Sequence, residues 1–186
     1  MTRILLPLLF VVCTCAAAAQ STCTHHAEAA HADASALGVP SSLGTDHDEI
    51  HALLAAVIEK GGETERTARE VARRLHAHFG KEEQFALPAL GLLTPLSEGR
   101  CTPEMRDVLA ITDSLRAQLP HMLAEHKGIV EALEALRIAG AAEGHPAAIS
   151  FADRLTVHAT MEEQVFYPAA LLVGDRIRSC STQHQH

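Results

Sequence analysis

Two copies of one pattern carry residue types that bind metal ions. Residues 78–88 read HFGKEEQFALP and residues 158–168 read HATMEEQVFYP, so both follow His-x-x-x-Glu-Glu-Gln-x-x-x-Pro. Four residues of α-helix advance the chain by about 6 Å and leave only about 40° of rotation, which places each His beside the first Glu of its copy. An imidazole and a carboxylate that converge from one face form half of a site for a borderline or hard metal ion. The two pairs are His78 with Glu82, and His158 with Glu162.

A second repeated motif lies upstream of each copy. Asp46-His47-x-x-Ile50 matches Glu125-His126-x-x-Ile129, and each of these His precedes the His of the following copy by 31 or 32 residues. The spacing predicts two copies of a helical hairpin, each giving one His from its first helix and a His plus a Glu from its second. The predicted inward set is His47, His78, Glu82, His126, His158 and Glu162.

Less specific explanations exist for each of these residues alone. A single core His is usually hydrogen-bonded, and a single His-x-x-x-Glu is usually a pair on a helix surface. Six such residues on apolar helix faces favour a metal site, because a purely structural bundle leaves the carboxylates of Glu82 and Glu162 buried without a partner.

The elements that must position these residues are helices. The chain of 186 residues is 47% hydrophobic and has no Trp and one Tyr, a composition typical of helices rather than strands. Apolar residues recur at a 3-4 spacing, and short connections favour antiparallel neighbours. We therefore predict an all-α, antiparallel, up-down-up-down four-helix bundle over residues 43–175. The expected helices start near Ser42 or Thr45, at Glu63, at Pro103 with a kink or break at Pro120, and at Pro146.

The N-terminal residues are typical of an export signal. Arg3 precedes an apolar run over residues 4–12, and Ala16 to Ala19 supply small residues for cleavage before Gln20. This divides the chain into a signal (1–19), a polar lead-in (20–42), the bundle (43–175) and a polar tail (176–186), and it predicts a periplasmic or extracellular location without a further membrane segment. The net charge of −8 and the absence of a basic patch argue against nucleic acid as a partner.

The cleaved chain would keep three cysteines, Cys23, Cys101 and Cys180. Helices two and four end at the same end of the predicted bundle, so Cys101 and Cys180 are expected to lie near enough to form a disulfide in an oxidising compartment. Unpaired thiols in flexible loops are an equally open alternative.

In these residues the sequence resembles the hemerythrin-like, HHE cation-binding family. The motifs DHDEI, HFGKEEQFALP, EHKGI and HATMEEQVFYP carry the resemblance, which covers about residues 43–173. It implies a non-haem di-iron centre inside a four-helix bundle. By the family's pattern, His47 and His158 would share one iron, and His78 and His126 would share the other. Glu82 and Glu162 would bridge the two metals.

One departure bears on function. Oxygen-carrying hemerythrins have a fifth His, four residues before the His on the third helix, where this chain has Met122. The four-His, two-Glu set is more similar to the branch that includes repair-of-iron-centres proteins, which implies reactivity with nitric oxide or iron delivery. His51 and His121 are expected to be partners or access-path groups rather than ligands. Glu83 and Glu163 are expected to lie off the site as solvated carboxylates or as partners of the ligands, although Glu163 also has the His-x-x-x-x-acid spacing of an alternative ligand.

The expected function is therefore that of an exported di-iron protein that binds or reacts with oxygen, nitric oxide or peroxide, or that handles iron. The alternative is a metal-binding or buffering protein that holds zinc or another divalent ion without turnover. No Ser/His/Asp arrangement, Gly-rich phosphate loop or HExxH motif occurs in the sequence, so it assigns no catalytic residue and leaves enzymatic activity open.

Overall fold

The computed structural model describes residues 38–183, with side chains to Cys180, and this part of the chain is helical with no strand. The helices are α1 (Ser41–Ile58), α2 (Gly62–Phe85), α3 (Leu87–Leu90), α4 (Leu93–Ser97), α5 (Val108–Glu143), α6 (Pro146–Met161) and α7 (Tyr167–Gln183). A 3-10 turn (Pro103–Asp107) leads into α5, and a π-helical segment (Glu162–Phe166) joins α6 to α7. The predicted all-α class is confirmed.

The long helices pack side by side. Helix α2 contacts both α1 and α5, while α6 contacts both α5 and α1. Helix α7 extends the line of α6 and packs on α5 and on the short helix α3. The amphipathic helices thereby bury their apolar stripes against one another, which stabilises helices far more than their intrinsic propensity does.

Two apolar clusters fill the interior. The first cluster includes Ile50, Leu75, Leu133 and Leu155 and is formed by α1, α2, α5 and α6. The second cluster is formed by α3, α7 and the first half of α5, together with the segments around them. The six polar residues predicted to face inward fall between these clusters along the helices. A polar layer enclosed by apolar side chains on both sides is therefore shielded from water.

The predicted interruption at Pro120 does not end the helix, because α5 runs without a break from Val108 to Glu143. Proline in a helix leaves the carbonyl four residues before it without its usual partner. Pro120 lies on the exposed side of α5, where water can satisfy that carbonyl. The break is thus not required, and α5 continues to Glu143.

The two repeated prolines disturb the backbone just upstream of themselves, but in different ways. Helix α2 ends at Phe85, and Pro88 lies in the separate turn α3. Pro168 lies at the start of α7, directly after the π-helical segment Glu162–Phe166. Because proline has no backbone N–H, it cannot complete an α-helical hydrogen bond. The helix break in one copy and the wider π-helical turn in the other therefore have the same cause.

The described helices extend beyond the predicted bundle. Helix α1 begins at Ser41, and α7 continues to Gln183, through most of the stretch that was predicted to be a polar tail. The predicted export signal (1–19) and residues 20–37 of the lead-in lie outside the described residues. Within the part of the chain that is described, no helix is both long and apolar enough to cross a membrane.

The thiol of Cys101 lies against the thiol of Cys180. Burial and the neighbouring Cys180 thiol raise the pKa of Cys101. Their disulfide stays a prediction, and Cys23 lies outside residues 38–183.

Candidate metal centre

All six of the predicted inward residues meet in one buried layer. Helix α1 supplies His47, α2 supplies His78 and Glu82, α5 supplies His126 and α6 supplies His158, while Glu162 is the first residue of the π-helical segment. Five of these residues are at most 4% exposed. The side chain of His158 is the most accessible, at 8%.

The six residues form two overlapping groups that share both carboxylates. The first group is His47, Glu82, His158 and Glu162, and the second group is His78, Glu82, His126 and Glu162. In each group, one nitrogen or oxygen from every residue lies within 4.8 Å of the others. Such a spacing suits a single ion held between four donors. Imidazole and carboxylate donors favour a borderline or hard cation.

Each carboxylate offers one oxygen to each group. On the first side, Oε2 of Glu82 and Oε1 of Glu162 each lie 3.6 Å from Nε2 of His47. On the second side, Oε1 of Glu82 lies 3.4 Å from Nε2 of His78, and Oε2 of Glu162 lies 3.3 Å from Nε2 of His126. Both carboxylates are therefore shared between the two groups.

Several buried atoms of this layer have no hydrogen-bond partner within the chain. They are Nδ1 of His47, Oε2 of Glu82, Nε2 of His158 and Oε1 of Glu162. His158 Nε2 lies 2.7 Å from Glu162 Oε1, but the contact lacks the direction of a hydrogen bond. Unpartnered buried polar atoms are costly, and a cation between them would remove that cost. The residues present therefore fit a bound metal.

The outward nitrogens of the four imidazoles face a ring of carboxylates. Nδ1 of His158 lies 2.8 Å from Asp46 Oδ2, and Nδ1 of His78 lies 3.1 Å from Glu125 Oε2. Nδ1 of His126 lies 2.9 Å from Glu163 Oε1, and Nδ1 of His47 lies 3.6 Å from Glu83 Oε1. The first three distances are hydrogen bonds in length. A carboxylate that accepts from Nδ1–H leaves Nε2 free to bind a metal and raises its basicity.

This outer ring follows the internal repeat. The acids that precede His47 and His126, namely Asp46 and Glu125, reach across to the His of the other hairpin. The acids that follow Glu82 and Glu162 lie against the His of their own hairpin. Sequence reasoning did not assign Asp46 and Glu125 to the site, although their matched position before each His was a usable signal.

The local charges move the pKa values in opposite directions. Burial lowers the pKa values of His47, His78 and His158, but the carboxylates around them outweigh burial and the net shifts are upward. Burial raises the pKa of Glu82, and the nearby Glu162 adds to this rise. Burial also acts to raise the pKa of Glu162, but three surrounding imidazoles lower it well below its usual value. The layer is thus a balanced set of acids and bases rather than a cluster of one charge.

Tyr167 is a member of the layer that sequence reasoning missed. Its hydroxyl donates to Glu82 Oε1 and lies 3.2 Å from Nε2 of His126 and 3.4 Å from Nε2 of His78. Regular α-helix would place Tyr167 about 180° around from His158. The π-helical segment between them changes that register. Spacing alone could not find this residue, because the first copy has Leu87 at the matching position.

The remaining candidates lie outside the inner layer. His121 Nε2 lies 3.0 Å from Glu125 Oε1, so it contacts a carboxylate of the outer ring. The ring of His51 packs edge-on against Phe79, which itself stacks on His47. Neither histidine joins a metal group, and the carboxylate of Glu163 faces the outer nitrogen of His126.

Comparison with known proteins agrees with this geometry. The family model described as the hemerythrin HHE cation-binding domain matches residues 39–170. No curated protein and no solved structure matches the chain. The match spans most of the sequence, includes all six residues of the buried layer and describes a domain that binds cations. The chain therefore belongs to the hemerythrin HHE cation-binding family.

Proposed function

We propose that this chain holds two iron ions, one in each group, and that the pair binds or reacts with small oxidants or takes part in iron handling. His47 and His158 would hold one iron, His78 and His126 the other, and the two carboxylates would bridge them. The expected partners are oxygen, nitric oxide and peroxide. The chain's family and its buried cluster support metal binding, and the donor set supports iron.

The division of the carboxylate oxygens carries this proposal. Glu82 and Glu162 each direct one oxygen to either histidine pair, so neither group is complete without both acids. A single ion in the middle would leave some imidazoles unused. Two ions use all four imidazoles and all four carboxylate oxygens. The contacts of α2 with α1 and α5, and of α6 with both, support the antiparallel four-helix arrangement that presents the donors this way.

A bound iron pair would supply electrons and open coordination positions for a small molecule. The chain itself orients the imidazole rings and shields the polar layer from water. Carboxylates of the outer ring fix the imidazole rings so that Nε2 points inward. Met122 is fully buried at the position where oxygen-carrying hemerythrins have their fifth His. This replacement supports reaction with small oxidants over reversible oxygen carriage.

The first test is metal content. Protein purified without oxygen is titrated with ferrous iron, for the wild type, for Glu82→Ala/Glu162→Ala and for Glu131→Ala, a control that removes an exposed Glu of α5. We expect two irons per chain in the wild type and in the control. We expect the double variant to lose both irons, because its two remaining histidine pairs have no shared anionic donor.

The opposing results are equally clear. One ion per chain, or iron that survives in the double variant, would mean that the carboxylates do not bridge two metals. Stoichiometric zinc with no affinity for iron would favour the alternative, a metal-buffering protein without turnover. An optical spectrum separates these outcomes, since an oxo-bridged ferric pair absorbs near-ultraviolet and visible light and zinc does not.

Export is part of the proposal and rests on the sequence of residues 1–19 alone, with its positive start, apolar run and small residues before Gln20. The intact mass of protein recovered outside the cytoplasm tests it. A chain that begins at Gln20 supports a periplasmic or extracellular location, and an uncleaved chain retained in the cytoplasm contradicts it.

A further inference from the structure

The two halves of the candidate centre are not equivalent. In the second group, Tyr167 fills the space beside His78 and His126 and hydrogen-bonds Glu82. The unpartnered inward atoms of the layer, Glu82 Oε2, His158 Nε2 and Glu162 Oε1, lie instead on the side of His47 and His158. The first group is therefore the half with unused binding capacity, and Tyr167 covers the other half.

An open pocket reaches this first group from the surface. It lies between α1 and the helix formed by α6 and the π-helical segment, and its volume is about 230 Å³. The lining residues are Asp46, Arg154, Val157, His158, Met161 and Phe166. His158 is the only one of them that also belongs to the metal groups, and it is the most accessible of the six site residues. The pocket thus ends on a ring whose Nε2 faces the centre.

The outer side of the second group is covered by side chains. On that side, Lys81 and His121 both pair with Glu125, which in turn bonds Nδ1 of His78. These contacts and the buried Tyr167 ring leave the outer faces of His78 and His126 covered, with each side chain at most 2% exposed. The pocket at His158 therefore leads to the first group rather than to this covered half.

The walls of the pocket suit an uncharged molecule. Val157, Met161 and Phe166 supply an apolar lining. At the rim, the Arg154 guanidinium bonds two carboxylates, those of Asp46 and Glu49, so this charged cluster carries one more negative charge than positive. Such a rim gives no attraction to an anion, whereas an apolar wall admits a small neutral molecule without the cost of desolvating a charge.

We propose that the pocket between α1 and α6 is the access route by which small uncharged molecules reach the centre, and that they arrive at the half held by His47 and His158. This inference rests on the proposed di-iron function. It adds which half of the centre the ligand reaches first, the route by which the ligand enters, and that the ligand is uncharged.

The test blocks the pocket at a residue that is already exposed. Val157 is 63% exposed, so Val157→Trp can be accommodated while its larger ring narrows the pocket. Ile138→Trp is the matched control, since Ile138 on α5 is 62% exposed and does not line the pocket. Each protein is loaded with ferrous iron, its iron is counted, and the rate of nitric oxide binding is followed by absorbance in a rapid-mixing experiment.

We expect the bimolecular rate to fall by about tenfold in Val157→Trp, with no change in iron content or in Ile138→Trp, because restricted access acts on the association step. Met161→Ala shortens another lining side chain, one turn further along α6, and is expected to raise the rate. Rates in Val157→Trp and Met161→Ala that equal the wild-type rate would overturn the proposed route. Failure of the wild type to load two irons would instead overturn the proposed function, so the two failures are distinguishable.

Discussion

At the residue scale, the outward nitrogens of the imidazoles matter as much as the inward ones. Asp46, Glu125 and Glu163 each accept from an Nδ1–H at hydrogen-bond distance, and each belongs to a different helical segment from the His that it contacts. The ring orientation at the centre is thus set by contacts between elements. A histidine that lost its acceptor could rotate or change tautomer, and Nε2 would no longer be fixed toward the metal.

Glu163→Ala removes the acceptor of His126 Nδ1 without touching an inward donor. We expect metal affinity to fall by about 10–100-fold, the usual effect of losing such a partner. Competition with a chromophoric chelator measures the change. Glu131→Ala is the control, and unchanged affinity in Glu163→Ala would show that the bond does not orient the ring.

At the element scale, α7 approaches α5 closely at Gly174. A Cβ added at Gly174 would lie 2.3 Å from Thr112 Oγ1 and 2.8 Å from its Cβ, and Thr112 is buried. The missing side chain at Gly174 therefore allows the second apolar cluster to close.

Gly174→Ala is expected to destabilise the protein by about 1–3 kcal/mol, because the added methyl group forces the helices apart. Gly80→Ala on α2 is the matched control, since nothing lies within 4 Å of its added Cβ. There we expect stability to rise by up to about 1 kcal/mol from helix propensity. Urea denaturation of metal-free protein measures both, and equal effects would contradict the close approach.

A second contact between elements joins the end of α5 to the start of α2. The Glu143 carboxylate accepts from the backbone N–H groups of Glu63 and Thr64, at 2.8 and 2.9 Å, and so caps α2 from another helix. The hydrogen bonds from Thr64 and Glu63 hold the pKa of Glu143 at about 2, below its usual 4.5.

This depressed pKa predicts a pH dependence. Glu143 binds a proton more weakly when folded, so its contribution is fully present above pH 4.5 and is lost as the pH falls toward about 2. We expect the wild type to lose more stability over this range than Glu143→Gln, which has no ionisable group there. Urea denaturation at several pH values measures the difference, and parallel curves would exclude the contribution.

At the scale of the whole molecule, the polar layer separates two apolar clusters and contains unpartnered buried atoms. Metal binding should therefore stabilise the fold as well as supply reactivity. Ligand at about 100 times its Kd adds about 2.7 kcal/mol, which corresponds to roughly 5–10 °C in Tm for a chain of this size.

The measurement is the Tm of protein with and without metal, for the wild type and for Glu82→Gln/Glu162→Gln. We expect the rise in Tm in the wild type only, because the amides preserve shape but cannot act as anionic bridges. A similar rise in the double variant would mean that the metal binds elsewhere, for example at exposed histidines.

The sequence by itself determined the helical class and the six inward residues. Both follow from local periodicity, since spacing of three and four residues decides which side chains share a helix face. The internal repeat then indicated that the inward faces of the two hairpins meet, because His47 and His126 occupy the same position in two similar hairpins. That Glu82 and Glu162 bridge two ions stays a prediction, which the metal titration tests.

Only the tertiary structure decided what surrounds those six residues. Tyr167 enters the layer through a π-helical segment that changes the register, and periodicity assumes a constant turn. The continuation of α5 through Pro120 depended on which side of the helix faces water. The pocket at His158 arises from side chains of two helices that are distant in sequence. Each of these features depends on packing between elements, which a local pattern in the sequence does not specify.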